Sequence, residues 1–285
     1  MSDGQTRVRK SDLPIRFVAS VAMIAVATAA VYFGGWLFRG LTALAAIVMI
    51  VEWGDMHRVK RLWSGIGAVL VAAYLLVGTE LLYPVVGTTL VARGDGITAA
   101  FRPATFEPAW WGFGAAVLIG VLLGLASRRA TLAWGFVYIA VPAFALLVLS
   151  WNGAALVFWV LIVTWSTDIF AYFAGRSIGG PKLAPRISPN KTWAGLIGGM
   201  LGAAVLGWFF ADLLGLGSPF LWLGAPMGLI AQAGDLYESW VKRRSGVKDS
   251  GHILPGHGGV LDRLDGLLAV VAATMLFLMT GLWTA

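Results

Sequence analysis

Between residues 232 and 265 the sequence turns from apolar to densely polar. Carboxylates recur there at Asp235, Glu238, Asp249, Asp262 and Asp265, and cations at Lys242, Arg243, Arg244, Lys248 and Arg263. Glycines at 246, 251, 256, 258 and 259 surround His252 and His257. Hard oxygen ligands suit Mg2+, which usually takes one or two carboxylates and leaves its other positions to water and phosphate oxygens. Lys and Arg neutralise charge gathering on a transferred phosphoryl group. Glycines let backbone N–H groups come close to an anion. Together these residue types point to metal-assisted chemistry on phosphates. Asp235 and Glu238 are three apart and share one helical face, as do Asp262 and Asp265 at the start of the next helix. Two such helix ends could clamp one or two cations between them. The competing reading is that these acids cap helices and pair with nearby Lys and Arg. An Asp inside hydrocarbon costs roughly 2.5–3.5 kcal/mol, which favours a ligand role for Asp235 and Asp262 and leaves Glu238 and Asp265 open between the two readings. A phosphate monoester is already ionised at neutral pH and needs no general base. His252 and His257 are therefore expected to be structural or to contact phosphate.

A second polar cluster lies upstream: Asp168, Gly175-Arg176, Gly179-Gly180, Lys182, and Ser188-Pro189-Asn190-Lys191-Thr192. Ser188, Lys191 and Thr192 stand before an apolar helix, where hydroxyls cap and free N–H groups with the helix dipole favour an anion. An ordinary cap and a basic loop would look the same in isolation; beside the first cluster, phosphate binding is the better reading. The remaining polar residues read as structural. Arg39 is expected to snorkel or pair within the membrane, and Glu80 and Asp212 to sit at the far ends of their helices. The stretch from Glu52 to Arg61 reads as a basic loop, with lipid headgroup binding the weaker alternative.

The elements that must hold these residues are set by composition. The chain has 285 residues, 59% hydrophobic and 12% charged, with mean hydropathy +0.81. So few charges cannot cover a water-facing surface, and the solvent must be largely lipid. There is no cysteine, which excludes disulfides and thiolate metal sites. The net charge of +7 needs no nucleic-acid partner, because basic residues gather in cytoplasmic loops of membrane proteins. Nine candidate spans follow from a length of about 20 apolar residues each: 15–33, 34–51, 62–83, 109–127, 131–150, 154–175, 193–214, 219–237 and 264–283. The first two are separated by only two glycines, and Pro142 and Pro226 are expected to kink their helices. The basic N-terminus and the triplet Ala27-Thr28-Ala29 resemble a signal peptide. The apolar run continues through Phe33, however, which argues for a retained anchor. With a cytoplasmic N-terminus, 18 of the 21 Lys and Arg residues fall on the cytoplasmic side, and only Arg93 and Arg102 fall outside. This asymmetry supports that orientation. The fold expected is therefore all-α, a polytopic transmembrane helical bundle. Residues 1–150 form its N-terminal helices and 151–285 a catalytic region with cytoplasmic loops at 176–192 and 238–263. No repeat is visible, and the external stretch 84–108 shows no chemistry.

The run from Ser239 to Asp265 resembles the signature of the phosphatidate cytidylyltransferases, S-x-x-K-R-x(4)-K-D-x-G-x(3)-P-G-H-G-G-x-x-D-R-x-D. Fourteen fixed positions fall in register: Ser239, Lys242, Arg243, Lys248, Asp249, Gly251, Pro255, Gly256, His257, Gly258, Gly259, Asp262, Arg263 and Asp265. Asp168 to Arg176, Ser188-Pro189-x-Lys191-Thr192 and Gln232-x-Gly234-Asp235-Leu236-x-Glu238-Ser239 are also similar to that family; Ala194 departs from it, where an acid or amide is usual. The resemblance covers about 160–285. It implies transfer of a cytidylyl group from CTP to phosphatidate, with Mg2+ required and K+ as a possible second cation. It further implies a metal held by Asp235 and Asp262; Glu238, from its spacing, is a third candidate ligand. Lys248, Asp249, Arg263 and Asp265 join Asp235 and Asp262 as expected catalytic residues. Ser188, Pro189, Lys191, Thr192, Lys242, Arg243, His257, Gly258, Gly259, Asp168 and Arg176 are expected to bind substrate. The expected partners are CTP, phosphatidate and membrane lipids, with no nucleic acid and a homodimer left open. The expected location is a bacterial inner (plasma) membrane, with the active site on its cytoplasmic face. A CDP-alcohol phosphotransferase would need its own D-G-x-x-A-R run, which is absent. A CTP-using lipid or polyprenol kinase lacks the P-G-H-G-G block. A transporter would place its polar residues at the midplane rather than at one face.

Overall fold

The computed structural model describes residues 12–81, 109–253 and 258–280. Nine helices are present among them: α1 (Asp12–Phe33), α2 (Gly35–Met56), α3 (Arg61–Ala73, continuing into a π-helical turn at Tyr74–Gly78), α4 (Ala109–Ser127), α5 (Ala130–Trp151), α6 (Ala154–Ser177), α7 (Trp193–Leu213), α8 (Ser218–Arg244) and α9 (Leu261–Met279). Between α6 and α7 an antiparallel ribbon, β1 (Lys182–Ala184) and β2 (Ser188–Thr192), pairs Lys182 with Thr192 and Ala184 with Ser188. The stretch 84–108, His257 and the basic residues Arg7, Arg9, Lys10, Arg93 and Arg102 lie outside the described residues.

Among the described residues six helices are long and apolar enough to cross a membrane: α2, α3 with its continuation to Leu81, α4, α5, α6 and α7. Nine spans were expected. Of the others, α8 and α9 do not qualify by composition. Both α8 and α9 carry their charge at the end that builds the site: Asp235 to Arg244 on one, Asp262 to Asp265 on the other. The close pair α1 and α2 is divided as expected, by Gly34 and Gly35 at φ +59° and +54°, a left-handed conformation that glycine adopts freely. Pro142 and Pro226 lie inside continuous helices.

α5 lies deepest, and its Phe136 and Phe144 are fully buried with Trp53, Trp159 and Phe220. The buried indoles keep their hydrogen bonds: Trp53 Nε1 donates to the Thr131 carbonyl at 2.8 Å and Trp159 Nε1 to that of Gly207 at 2.9 Å. The outer face is apolar, with Trp36, Leu44, Leu118, Leu201 and Trp222 all exposed. At roughly 25 cal/mol per Å2, that surface is unfavourable in water and neutral in lipid. The helices that carry the site approach closely through small residues. A Cβ on Gly198 of α7 would lie 2.2 Å from that of Ala174 on α6. One on Gly234 of α8 would lie 2.8 Å from the Asp265 carbonyl of α9. Close backbone approach of this kind drives helix association where no water is expelled.

Candidate active site

The helix ends position the acids. α8 does not stop near 237 but runs on to Arg244, with Gly246 at φ +76° just beyond. α9 starts at Leu261. The loop expected at 238–263 is therefore 245–260, and Glu238, Lys242 and Arg243 project from helix. Hydropathy marks where a chain leaves lipid; it does not mark where a helix ends, and Glu238 to Arg244 contains good helix formers.

Two cavities meet at this end of the bundle. One, of about 610 Å3, is rimmed by charged and polar side chains and lies between α6, β2, α7 and α8. Its walls include Arg176, Asn190, Lys191, Thr192 and Gln232. The other, of about 470 Å3, is a largely apolar cleft between α1, α2, α5, α6 and α9. Its walls include Ala45, Met49, Leu146, Leu161 and Leu268, with Asp262, Arg263 and Asp265 at the polar end. Asp168 and Asp235 line both cavities.

Around the polar cavity, Thr192 caps α7 by accepting from Gly195 N at 3.0 Å. Lys191 Nζ lies 2.7 Å from Asp235 Oδ2 and donates to Gln232 Oε1 at 2.9 Å. Ser239 Oγ donates to Asp235 Oδ1 at 3.3 Å. Ser188 was expected to cap but instead sits at the far end of the ribbon, paired with Ala184, and Pro189 follows it on β2. A strand before α7 carries Ser188 away from the helix end, and neither Ser188 nor Pro189 lines either cavity.

A second knot forms between α8 and α9. Lys242 Nζ lies 2.6 Å from Glu238 Oε2 and 2.7 Å from Asp262 Oδ1. Ser250 N donates to both Asp262 oxygens, at 3.1 and 3.0 Å, and Gly259 N donates to Oδ2 at 2.8 Å. Burial, and then the nearby Asp265 charge, pushes Glu238 above the usual carboxylate range. Burial would lower Lys242, but Glu238 and Asp262 beside it hold it above the usual lysine range. Lys242 was expected to hold substrate phosphate; here its charge goes to two carboxylates and it lines neither cavity. Arg243, expected in the same role, donates to the carbonyls of Ile187 and Val247, both at 3.3 Å, and so braces the ribbon and the loop. Lys248 and Asp249 are exposed on the loop, and Gly258 turns it at φ +82°.

Among the described residues no group of three or more His, Asp or Glu side chains is gathered as a ready metal cage. The donor set still suits a hard cation that brings its own water and phosphate ligands. Asp235 opens on both cavities, and the buried Glu238 Oε1 has no hydrogen-bond partner among the described residues.

A family model described as the cytidylyltransferase family matches residues 14–280. The chain belongs to the cytidylyltransferase family. Among its relatives, a phosphatidate cytidylyltransferase of Brucella abortus biovar 1 (strain 9-941) is 37% identical over 274 residues, covering 94% of this chain and 93% of that protein. Another of Rickettsia bellii (strain RML369-C) is 39% identical over 52% of this chain and 68% of its own length. A third, of Bacillus subtilis (strain 168), is 48% identical over 42% of this chain and 45% of its own length.

Two residues at the candidate site of this cytidylyltransferase were given no role of their own by motif and charge. Gln232, buried at the rim of the polar cavity, fixes the Lys191 ammonium; its place beside Gly234-Asp235 was the available signal. Glu52 is the other. It reads from sequence as part of a basic loop, yet it is buried on α2 and accepts from the Val260 and Leu261 amides, both at 2.9 Å. These two amides lie more than two hundred residues away, so no spacing argument reaches them.

Proposed function

We propose that this cytidylyltransferase transfers the cytidylyl group of CTP to phosphatidate, giving CDP-diacylglycerol and pyrophosphate. The observation that carries this reading is that an apolar cleft and a polar cavity share two walls, Asp168 and Asp235. A lipid and a charged nucleotide can then meet at one point without either leaving its preferred solvent. The triphosphate would lie in the polar cavity against Lys191, Arg176 and the capped start of α7, where free N–H groups favour an anion. The phosphatidate phosphate would sit at the polar mouth of the cleft near Arg263, with its acyl chains along Ala45, Leu161 and Leu268.

An ionised phosphatidate oxygen attacks the α-phosphorus of CTP in line. The new P–O bond forms as the bond from the α-phosphorus to its bridging oxygen breaks, and pyrophosphate leaves with that electron pair. The protein positions the two phosphates and neutralises their charge. Asp235, Asp262 and Glu238 would hold Mg2+, which would screen the charge gathering on the reacting phosphates. Lys248, Asp249 and Asp265 complete the polar surround from the loop and from α9. All nine helices would cross a cell membrane, with the N-terminus and the site on the cytoplasmic face. The excess of Lys and Arg assigned to that face supports this orientation.

The test is incubation of purified protein with CTP labelled at the α-phosphate, phosphatidate and Mg2+. Label should enter lipid with equal release of pyrophosphate, and both should stop when phosphatidate or Mg2+ is omitted. Pyrophosphate release that does not depend on phosphatidate would overturn the assignment of the acceptor.

A further inference from the structure

We propose that Glu52 is a positioning residue for transfer: from the N-terminal half of the chain it holds the glycine loop and the first turn of α9, and so sets the register of Asp262. Glu52 lies on the last turns of α2 and is 2% exposed. Val260 N donates to its Oε1 and Leu261 N to its Oε2, both at 2.9 Å, and Ser250 Oγ donates to Oε2 at 3.3 Å. The first amides of a helix have no partner within it, and a carboxylate also meets the positive end of the dipole. Val260, at the N-cap position of α9, makes no side-chain cap of its own, so Glu52 acts as a cap supplied from another helix.

The loop is built around this carboxylate. A Cβ on Gly251 would lie 2.6 Å from Glu52 Oε1, and one on Gly259 would lie 2.7 Å from both carboxylate oxygens. Four amides are divided between two acids. Ser250 N and Gly259 N go to Asp262, and Val260 N and Leu261 N go to Glu52. Asp262 can keep its place only while the two amides that follow Gly259 are turned towards Glu52. Met49 and Ala45, one and two turns earlier on α2, line the apolar cleft. A single helix therefore forms a wall for the lipid and a strut for the loop.

This inference rests on the reading of Asp262 and the cleft as parts of the site. It is tested in the full-length protein in detergent micelles with CTP, phosphatidate and Mg2+. Glu52→Gln keeps the size but puts an amide N–H2 against a backbone donor. It should lower kcat at least about tenfold while both KM values stay within about twofold, because alignment rather than binding is lost. Glu52→Asp, which keeps the charge, should recover part of that loss. Asp55→Asn, one turn along on the exposed face and paired with Arg61 at 3.2 Å, should leave kcat unchanged. Amide exchange in Glu52→Gln should rise at residues 258–262 and stay unchanged in α5. A kcat within twofold of wild type overturns the inference. So does a loss of kcat with exchange raised equally in α5 and α9, since Glu52 would then only support the fold. Wild-type protein without phosphatidate-dependent transfer overturns the functional reading itself, and this inference with it.

Discussion

Asp235 stands where the two cavities join, half exposed, with Lys191 2.7 Å away on one side and Ser239 on the other. Asp235→Asn keeps the size and an acceptor for Lys191 but removes the charge that a cation would need. Activity should fall at least about a hundredfold, in the range seen when a group that stabilises transferred charge is lost. The melting temperature in detergent should change little, because the ion pair is partly open to solvent and such pairs contribute little. Activity within a few-fold of wild type would remove Asp235 from the metal site. Asp235 and Asp262 stand out in the sequence as candidates, because an acid at a membrane helix end needs a reason to be there. The partners of the lysines were not. Lys191 and Lys242 look alike as cations in polar runs, yet one faces the polar cavity while the other is spent on Glu238 and Asp262. Charge sign can be read from a sequence; which charge answers which depends on how α8 and α9 are turned.

The elements were legible to the extent that lipid dictates them. The apolar runs gave the helices, and Gly34-Gly35 gave the break between the two least separable ones. Two features lay beyond hydropathy: the extension of α8 to Arg244, which leaves the apolar segment while still helical, and the ribbon before α7, whose strands are three and five residues long. The packing of α6 on α7 has a sequence signal in Gly195, Gly198, Gly199 and Gly202, although the partner helix had to be seen. Gly198→Val would press into Ala174 Cβ, where even a Cβ finds only 2.2 Å. Overpacking of this kind costs typically 1–3 kcal/mol. The detergent melting temperature should drop, and the KM for CTP should rise, because β2 delivers Lys191 and Thr192 to the cavity directly before the first turn of α7. Gly114→Ala on α4, which meets nothing within 4 Å, should leave both unchanged. Equal effects from the two substitutions would mean that the close approach of α6 and α7 is not what holds the polar cavity in shape.

At the scale of the whole molecule, the N-terminal helices contribute more than a membrane anchor. α1 and α2 supply one side of the cleft whose polar end reaches Asp235 and Arg263, so a lipid bound there as proposed would lie between the two halves of the chain. This division was not legible, because residues 1–150 read only as apolar spans. A span's inner and outer faces look the same to hydropathy when both are apolar, as Ala45 and Leu44 illustrate: neighbours in sequence, one on the cleft wall and the other 57% exposed on the outer face. That pair separates a lipid site from general membrane contact. Ala45→Trp would fill space that the acyl chains need, and Leu44→Trp would place the same indole outside. Ala45→Trp should raise the KM for long-chain phosphatidate about tenfold, equivalent to about 1.4 kcal/mol of binding, with the KM for CTP unchanged. A phosphatidate with short acyl chains should lose less, since it extends less far along the cleft. Leu44→Trp should behave as wild type with either lipid. If the two variants were alike, or if Ala45→Trp raised the KM for CTP instead, the lipid would have to reach Asp235 by another route than between α1, α2 and α9.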